Sequence, residues 1–176
     1  MKNITILLSV FLISTTAVAS GEFELKGVKI GDSARTLDYG AFRCSETSRE
    51  NYSSECISLE HVTIANKDAL ITLTIYEYKV DSIMAFFAQE DFQDIKDAIL
   101  IKYGKPSNQL TNTLTNSFGA KFSSLEISWR KKNITALLRE RVGDIESSVL
   151  SIYSDAHVKR SSEKKKIKNE ENSKDI

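Results

Sequence analysis

Proline is almost missing from this chain: Pro106 is the only one among 176 residues. Tryptophan occurs once, at Trp129, histidine only at His61 and His157, and cysteine only at Cys44 and Cys56. Neither sign of charge is in excess, with 24 Lys and Arg against 24 Asp and Glu. These scarcities exclude several functions. Two thiols and two distant histidines are too few for a structural zinc cluster, so no metal or other cofactor is expected. A balanced charge gives no global attraction to nucleic acid. No long apolar run follows the N-terminus, so no transmembrane segment is expected.

The N-terminus itself is apolar. Lys2 precedes the run Ile4 to Ile13, and Ser14-Thr15-Thr16 leads to the small residues Ala17-Val18-Ala19. That is the charged, apolar and cleavage-site order of a secretory signal. The reading is a signal peptide over 1–19, a mature chain from Ser20, and a periplasmic or extracellular location. The apolar run is shorter than the roughly 20 residues a membrane helix needs. No cysteine stands near the cut, which argues against a lipid-anchored start. The mature chain has the length of one domain with a real core.

Export decides how the cysteines read. In an oxidising compartment two thiols tend to pair. A Cys44–Cys56 disulfide would close a loop of about a dozen residues and stabilise the fold by about 2–4 kcal/mol. A catalytic thiol would be expected to have a histidine partner.

Along the chain, Phe23, Leu25, Val28 and Ile30 open an extended segment. Gly31-Asp32-Ser33 reads as a turn capping a short helix over about 34–39, ended by Gly40. Arg43 to Glu55 is polar and reads as a loop held by the disulfide. Strands are expected at Leu59–Ala65, Leu70–Tyr78 and Lys79–Phe87, with a turn at Asn66-Lys67-Asp68. The clearest helix is 91–103, with Phe92, Ile95, Ala98, Ile99 and Tyr103 on one stripe, Asp91 as its cap, and Gly104 and Pro106 as its stop. Leu110–Phe122 reads as a loop or exposed hairpin. Further strands are expected at Leu125–Arg130, Ile134–Arg141 and Val149–Tyr153, with turns at Asn133 and Gly143-Asp144. The fold class is therefore α+β, with an antiparallel sheet of about five or six strands over 20–156. Residues 157–176 carry a surplus of Lys and read as a charged, flexible tail, with weak contact to anionic surfaces as its possible role.

Few residues converge on chemistry. Gly31-Asp32-Ser33 resembles the start of the nucleophile block of secreted lipase-like esterases, and Asp155-Ala156-His157 echoes their acid and base. A serine hydroxyl needs a positioned base and oxyanion donors. The cap reading of Ser33 is preferred, and His61 and His157 read as structural or surface residues.

The order of landmarks carries a resemblance. Phe23, Gly27-Val28-Lys29-Ile30-Gly31-Asp32-Ser33, Cys44, Cys56, Lys102-Tyr103-Gly104-Lys105-Pro106 and a Lys-rich end closing on Asp175-Ile176 resemble a group of small exported proteins of proteobacteria and their mobile elements. The resemblance implies periplasmic export and brings no assigned activity. A fainter likeness is to envelope modules in which Gly-x-Ser opens one helix and Gly-x-Pro ends another, such as outer-membrane assembly lipoproteins and the β-lactamase-inhibitor-like fold. The expected function is a non-enzymatic binding module whose partner is an envelope protein or wall polymer. The alternative is a small secreted serine hydrolase using Ser33 with His157.

Overall fold

The computed structural model describes residues 22–48, 52–116, 118–143 and 145–173. The expected signal peptide with its cut at Ser20, Asp144 of an expected turn, and the end of the chain from Lys174 lie outside the described residues. The described chain runs β1 (Glu24–Leu25), β2 (Val28–Lys29), β3 (Phe42–Ser48), β4 (Ser53–Ser58), β5 (Val62–Ile64), β6 (Lys67–Tyr76) and β7 (Lys79–Ala88). After these come α1 (Phe92–Tyr103), β8 (Asn108–Thr115), β9 (Lys121–Lys131), β10 (Ile134–Arg139), β11 (Ser147–Ser154) and α2 (Asp155–Asn172).

β1 and β2 pair as a small hairpin. The other strands form one antiparallel sheet in the order β3-β4-β6-β7-β11-β10-β9-β8, with β5 folded onto β6. Two meanders therefore meet at a β7–β11 seam, and α1 carries the chain from β7 to the far edge. This is an α+β fold, but the sheet has nine strands where the sequence suggested five or six. The extra strands come from β3, β4 and β8, whose residues are mostly polar and carry no apolar alternation. β3 and β8 are edges wetted on both faces, so no such pattern is required of them.

Apolar rows run across the sheet. Leu73, Ile83, Ile152, Ala136 and Trp129 are successive cross-strand neighbours, and so are Ile71, Ala85, Leu150, Leu138 and Ile127. All are buried. α1 lies on this face through Phe92, Ile95, Ile99 and Tyr103. Asp91 stands at its N-cap position, but its carboxylate is held by Lys67 at 2.9 Å and makes no cap hydrogen bond. Gly104 ends the helix at φ 78° and ψ −155°, a region open almost only to glycine. Its carbonyl accepts a hydrogen bond from Trp129 Nε1 at 2.8 Å. Tyr103 packs edge-on against both Phe23 and Trp129 and donates to the Glu24 carbonyl at 2.7 Å. Burial, aided by the Glu24 charge, raises the Tyr103 phenol well above its ordinary pKa.

The expected N-terminal helix over 34–39 is instead two single 3₁₀ turns, Ala34–Thr36 and Tyr39–Ala41. Leu37 between them is extended, which breaks the helix. The expected flexible tail is helical through Asn172. Ser154 caps it: its Oγ accepts from His157 N at 3.1 Å. Asp155 adds negative charge to the first turn and pairs with Arg130 at 2.7 Å.

Candidate functional site

The predicted disulfide is present. Cys44 and Cys56 face each other directly across β3 and β4, with α-carbons 4.0 Å apart. That is below the usual range of about 4.4–6.8 Å. It reflects their place as a close, directly opposed pair in an antiparallel ladder. The segment between them is thus largely hairpin, not loop. Cys56 is buried beside Leu73, whereas Cys44 is exposed, so the bridge ties an edge strand to the core.

Ser33 is where its cap role requires. Its Oγ accepts from Arg35 N at 3.3 Å, and its carbonyl accepts from Thr36 Oγ1 at 2.7 Å. The His157 imidazole bonds elsewhere, so the structure does not join the two residues of the hydrolase alternative. His61 falls just before β5 and is exposed, not in a strand.

Two of the concave regions on the described residues bear on function. The first is a cavity of about 660 Å³ between the N-terminal segment and the β4–β5 corner. Its apolar wall includes Leu25, Val28, Leu37 and Phe42, and its inner wall is Ile71, Leu73 and Ile83 of the sheet. Lys26, Asp38, Glu60 and His61 stand at the polar rim. Asp38 Oδ1 accepts from Gly40 N at 2.9 Å, which fixes the local turn. Interiors rarely leave voids larger than a water molecule, so a cavity of this size and lining has the character of a ligand cleft.

The second region lies on the opposite face of the sheet, under α2. Beside it, β7 bulges. Thr74 pairs with Ser82 but Ile75 pairs with Val80, leaving Asp81 as the extra residue. A bulge re-aims a side chain, and here the Asp81 carboxylate turns to α2. Its Oδ2 lies 2.8 Å from His157 Nδ1, and its Oδ1 accepts from Arg160 Nη2. Burial pushes the Asp81 carboxyl up, but the His157 hydrogen bond and the Arg160 charge outweigh it and hold it below the usual carboxylate range. Arg160 also lies over the Tyr76 ring, 4.2 Å from its centroid. His157 Nε2 is 3.4 Å from Ser161 Oγ, one helical turn along. A cavity of about 370 Å³ adjoins this group, lined by Met84, Leu137, Tyr153, His157, Ser161 and Lys165.

Asp81, Arg160 and Ser161 were not singled out from sequence. A signal existed for Asp81: it is a charge inside the apolar run Val80 to Phe87, where alternation fails. Among the described residues, no group of three or more His, Cys, Asp or Glu side chains is placed to hold a metal ion. No described helix is long and apolar enough to cross a membrane. Comparison with protein-family models, with curated proteins and with solved structures finds no match.

Proposed function

We propose that this chain is an exported, non-enzymatic binding module that acts in the periplasm or outside the cell. Its cleft between the N-terminal segment and the β4–β5 corner takes an apolar group of a partner polypeptide of the envelope. The observation that carries this reading is the cleft itself: about 660 Å³, apolar within and polar at the mouth. Asp38 and Glu60 outweigh Lys26 at the rim, which favours a partner whose apolar group is flanked by a basic residue. Export rests on the signal-like N-terminus, and the disulfide suits an oxidising compartment.

The test uses the neutral fluorophore N-phenyl-1-naphthylamine with the mature chain and with Leu37→Trp, which fills the cleft. Saturable binding to the natural chain and its loss in a folded variant are expected. The same pair of proteins, used as baits in periplasmic extract, should differ in the polypeptide they retain. Equal fluorophore binding by both proteins would move the ligand site elsewhere.

A second reading is favoured by one observation, the Asp81–His157–Ser161 hydrogen-bond order. It makes the chain an ester hydrolase that uses Ser161, not Ser33. Ser161 Oγ would attack the acyl carbon as His157 takes its proton and Asp81 holds the ring. The ester C–O bond would break with that proton passing to the leaving alkoxide, and water would then release the acyl group. Arg139 and Lys165 are the cations that line the adjoining cavity, and either would serve as oxyanion partner. Amides inside α2 are committed to the helix and cannot serve. Hydrolysis of p-nitrophenyl esters that Ser161→Ala abolishes and Ser33→Ala leaves intact would select this reading. A chain inert towards short and long acyl esters would remove it.

A further inference from the structure

The sheet has two ends, and only one is protected. At β3 the edge carries Arg43 and Glu46, its register slips between Glu46 and Ser48, and the disulfide anchors it. These are devices that blunt an edge strand against further pairing. β8 has none of them. From Ser107 to Asn116 the chain has no ionisable residue and no proline. Its register with β9 is unbroken over Asn108–Thr115, and every residue but Leu114 is exposed.

The strand is also close to a palindrome. Leu110-Thr111-Asn112-Thr113-Leu114 reads the same in both directions, and Asn108 and Asn116 extend the match. Antiparallel pairing about a two-fold axis places a strand against its own reverse, so a palindrome brings like residues together.

Backbone polarity fits the same axis. Asn116 N donates to Ala120 O at 3.0 Å, which with the β8–β9 register turns the even-numbered amides and carbonyls of β8 towards β9. Those of Gln109, Thr111, Thr113 and Thr115 therefore point outward. We propose that β8 pairs antiparallel with β8 of a second copy of this chain, with the two-fold axis at Asn112. Thr111 then exchanges hydrogen bonds with the partner's Thr113, and Gln109 with the partner's Thr115. Leu110 meets the partner's Leu114 at a non-hydrogen-bonded position, where side chains approach most closely. Neither strand brings an ionisable group to the ladder, so no like charges oppose each other across it. The occupant is a second copy and not an unrelated strand, because only a copy supplies the reversed sequence in register.

Sedimentation equilibrium of the mature chain, from micromolar to near-millimolar concentration, tests this. A concentration-dependent doubling of mass is expected. Asn112→Lys and Asn112→Asp each set like charges on the axis and should weaken dimerisation roughly tenfold or more. Mixing the two variants should restore a dimer of twice the single-chain mass. Thr113→Pro removes an outward amide that β9 does not use, so it should abolish the dimer and leave the monomer folded. The proposal is overturned if the natural chain stays monomeric throughout. It is equally overturned if Asn112→Lys dimerises as well as the natural chain, or if the mixture stays monomeric.

Discussion

Asp81→Asn isolates what holds α2 against the sheet. The substitution keeps the size of the side chain and removes its charge. Asp81 is 10% exposed at its side chain, and its two contacts on α2, His157 and Arg160, are 21% and 28% exposed. A hydrogen bond to a charged group contributes about 1.5–3 kcal/mol when sheltered. Partial solvent screening brings the loss for the pair to about 2 kcal/mol. Past Arg160 the helix is mostly exposed, and a helix of this length is marginal in water without tertiary support. The loss should therefore appear as undocking of α2, with the sheet unchanged. About 2 kcal/mol corresponds to roughly a 30-fold change in the docking equilibrium. Amide hydrogen exchange should rise by about that factor over 158–172, and tryptic cleavage in the Lys164–Lys168 stretch should quicken. Amides of β6, β7 and β11 should keep their protection. Equal loss of protection in α2 and in the sheet would refute the argument, because Asp81 would then support the core and not the helix. The same carboxylate gives a pH dependence. Its folded pKa is lowered, so its contribution is complete above about pH 4, the ordinary carboxylate value, and is lost as the pH falls through the folded value. α2 exchange in the natural chain should rise at that acid end, and in Asp81→Asn this component should be missing.

Further outcomes follow from the core and its caps. Replacing both Cys44 and Cys56 with Ala should lower stability by about 3 kcal/mol, the entropy of a loop of this length, as read by urea unfolding. Gly104→Ala must hold a side chain at φ 78° and ψ −155°, and should cost about 1–3 kcal/mol by the same measurement. Trp129→Phe leaves the Gly104 carbonyl without its indole donor and should cost a similar amount, with α1 exchange rising first.

The interior was readable from sequence where packing demands a pattern. The stripe Phe92, Ile95, Ile99 and Tyr103 predicted α1, and Gly104 predicted its end. The apolar runs of β6, β7 and β11 also announced themselves, because they lie mid-sheet. The edges did not. β8 is a polar strand because water reaches both its faces, and β3 and β4 contribute few buried apolar side chains besides Cys56. Turn chemistry misled at Glu77-Tyr78, where both residues take positive φ without Gly or Asn. There Tyr78 stacks on Tyr52 at 4.5 Å between ring centroids, a tertiary contact that no local pattern reveals. For the tail, charge alone leaves helix and disorder both open, and propensity speaks for the helix. Ser154-Asp155 is a helix start, and the Lys, Arg and Glu that follow are good helix formers. The cleft was not legible at all. It arises from where the β1–β2 hairpin and the 3₁₀ turns come to rest, and Leu25 or Leu37 read as ordinary core residues in isolation.

The seam between β7 and β11 bears on how the chain reaches this state. Ala88 and Ser147 are paired across it, though α1 and β8 to β10 separate them in sequence. Each meander is built from hairpins between sequence neighbours and can form quickly, whereas the seam must close a long loop at an entropic cost of about 3–4 kcal/mol. A chain emerging N-terminus first completes β3 to β7, with its disulfide, while β7 still lacks a neighbour on one side. Until β11 arrives, Val80, Ile83, Ala85 and Phe87 lie on an open edge strand of the kind that recruits other chains. Folding speed, and the yield of soluble protein, then depend on the last strand to be made.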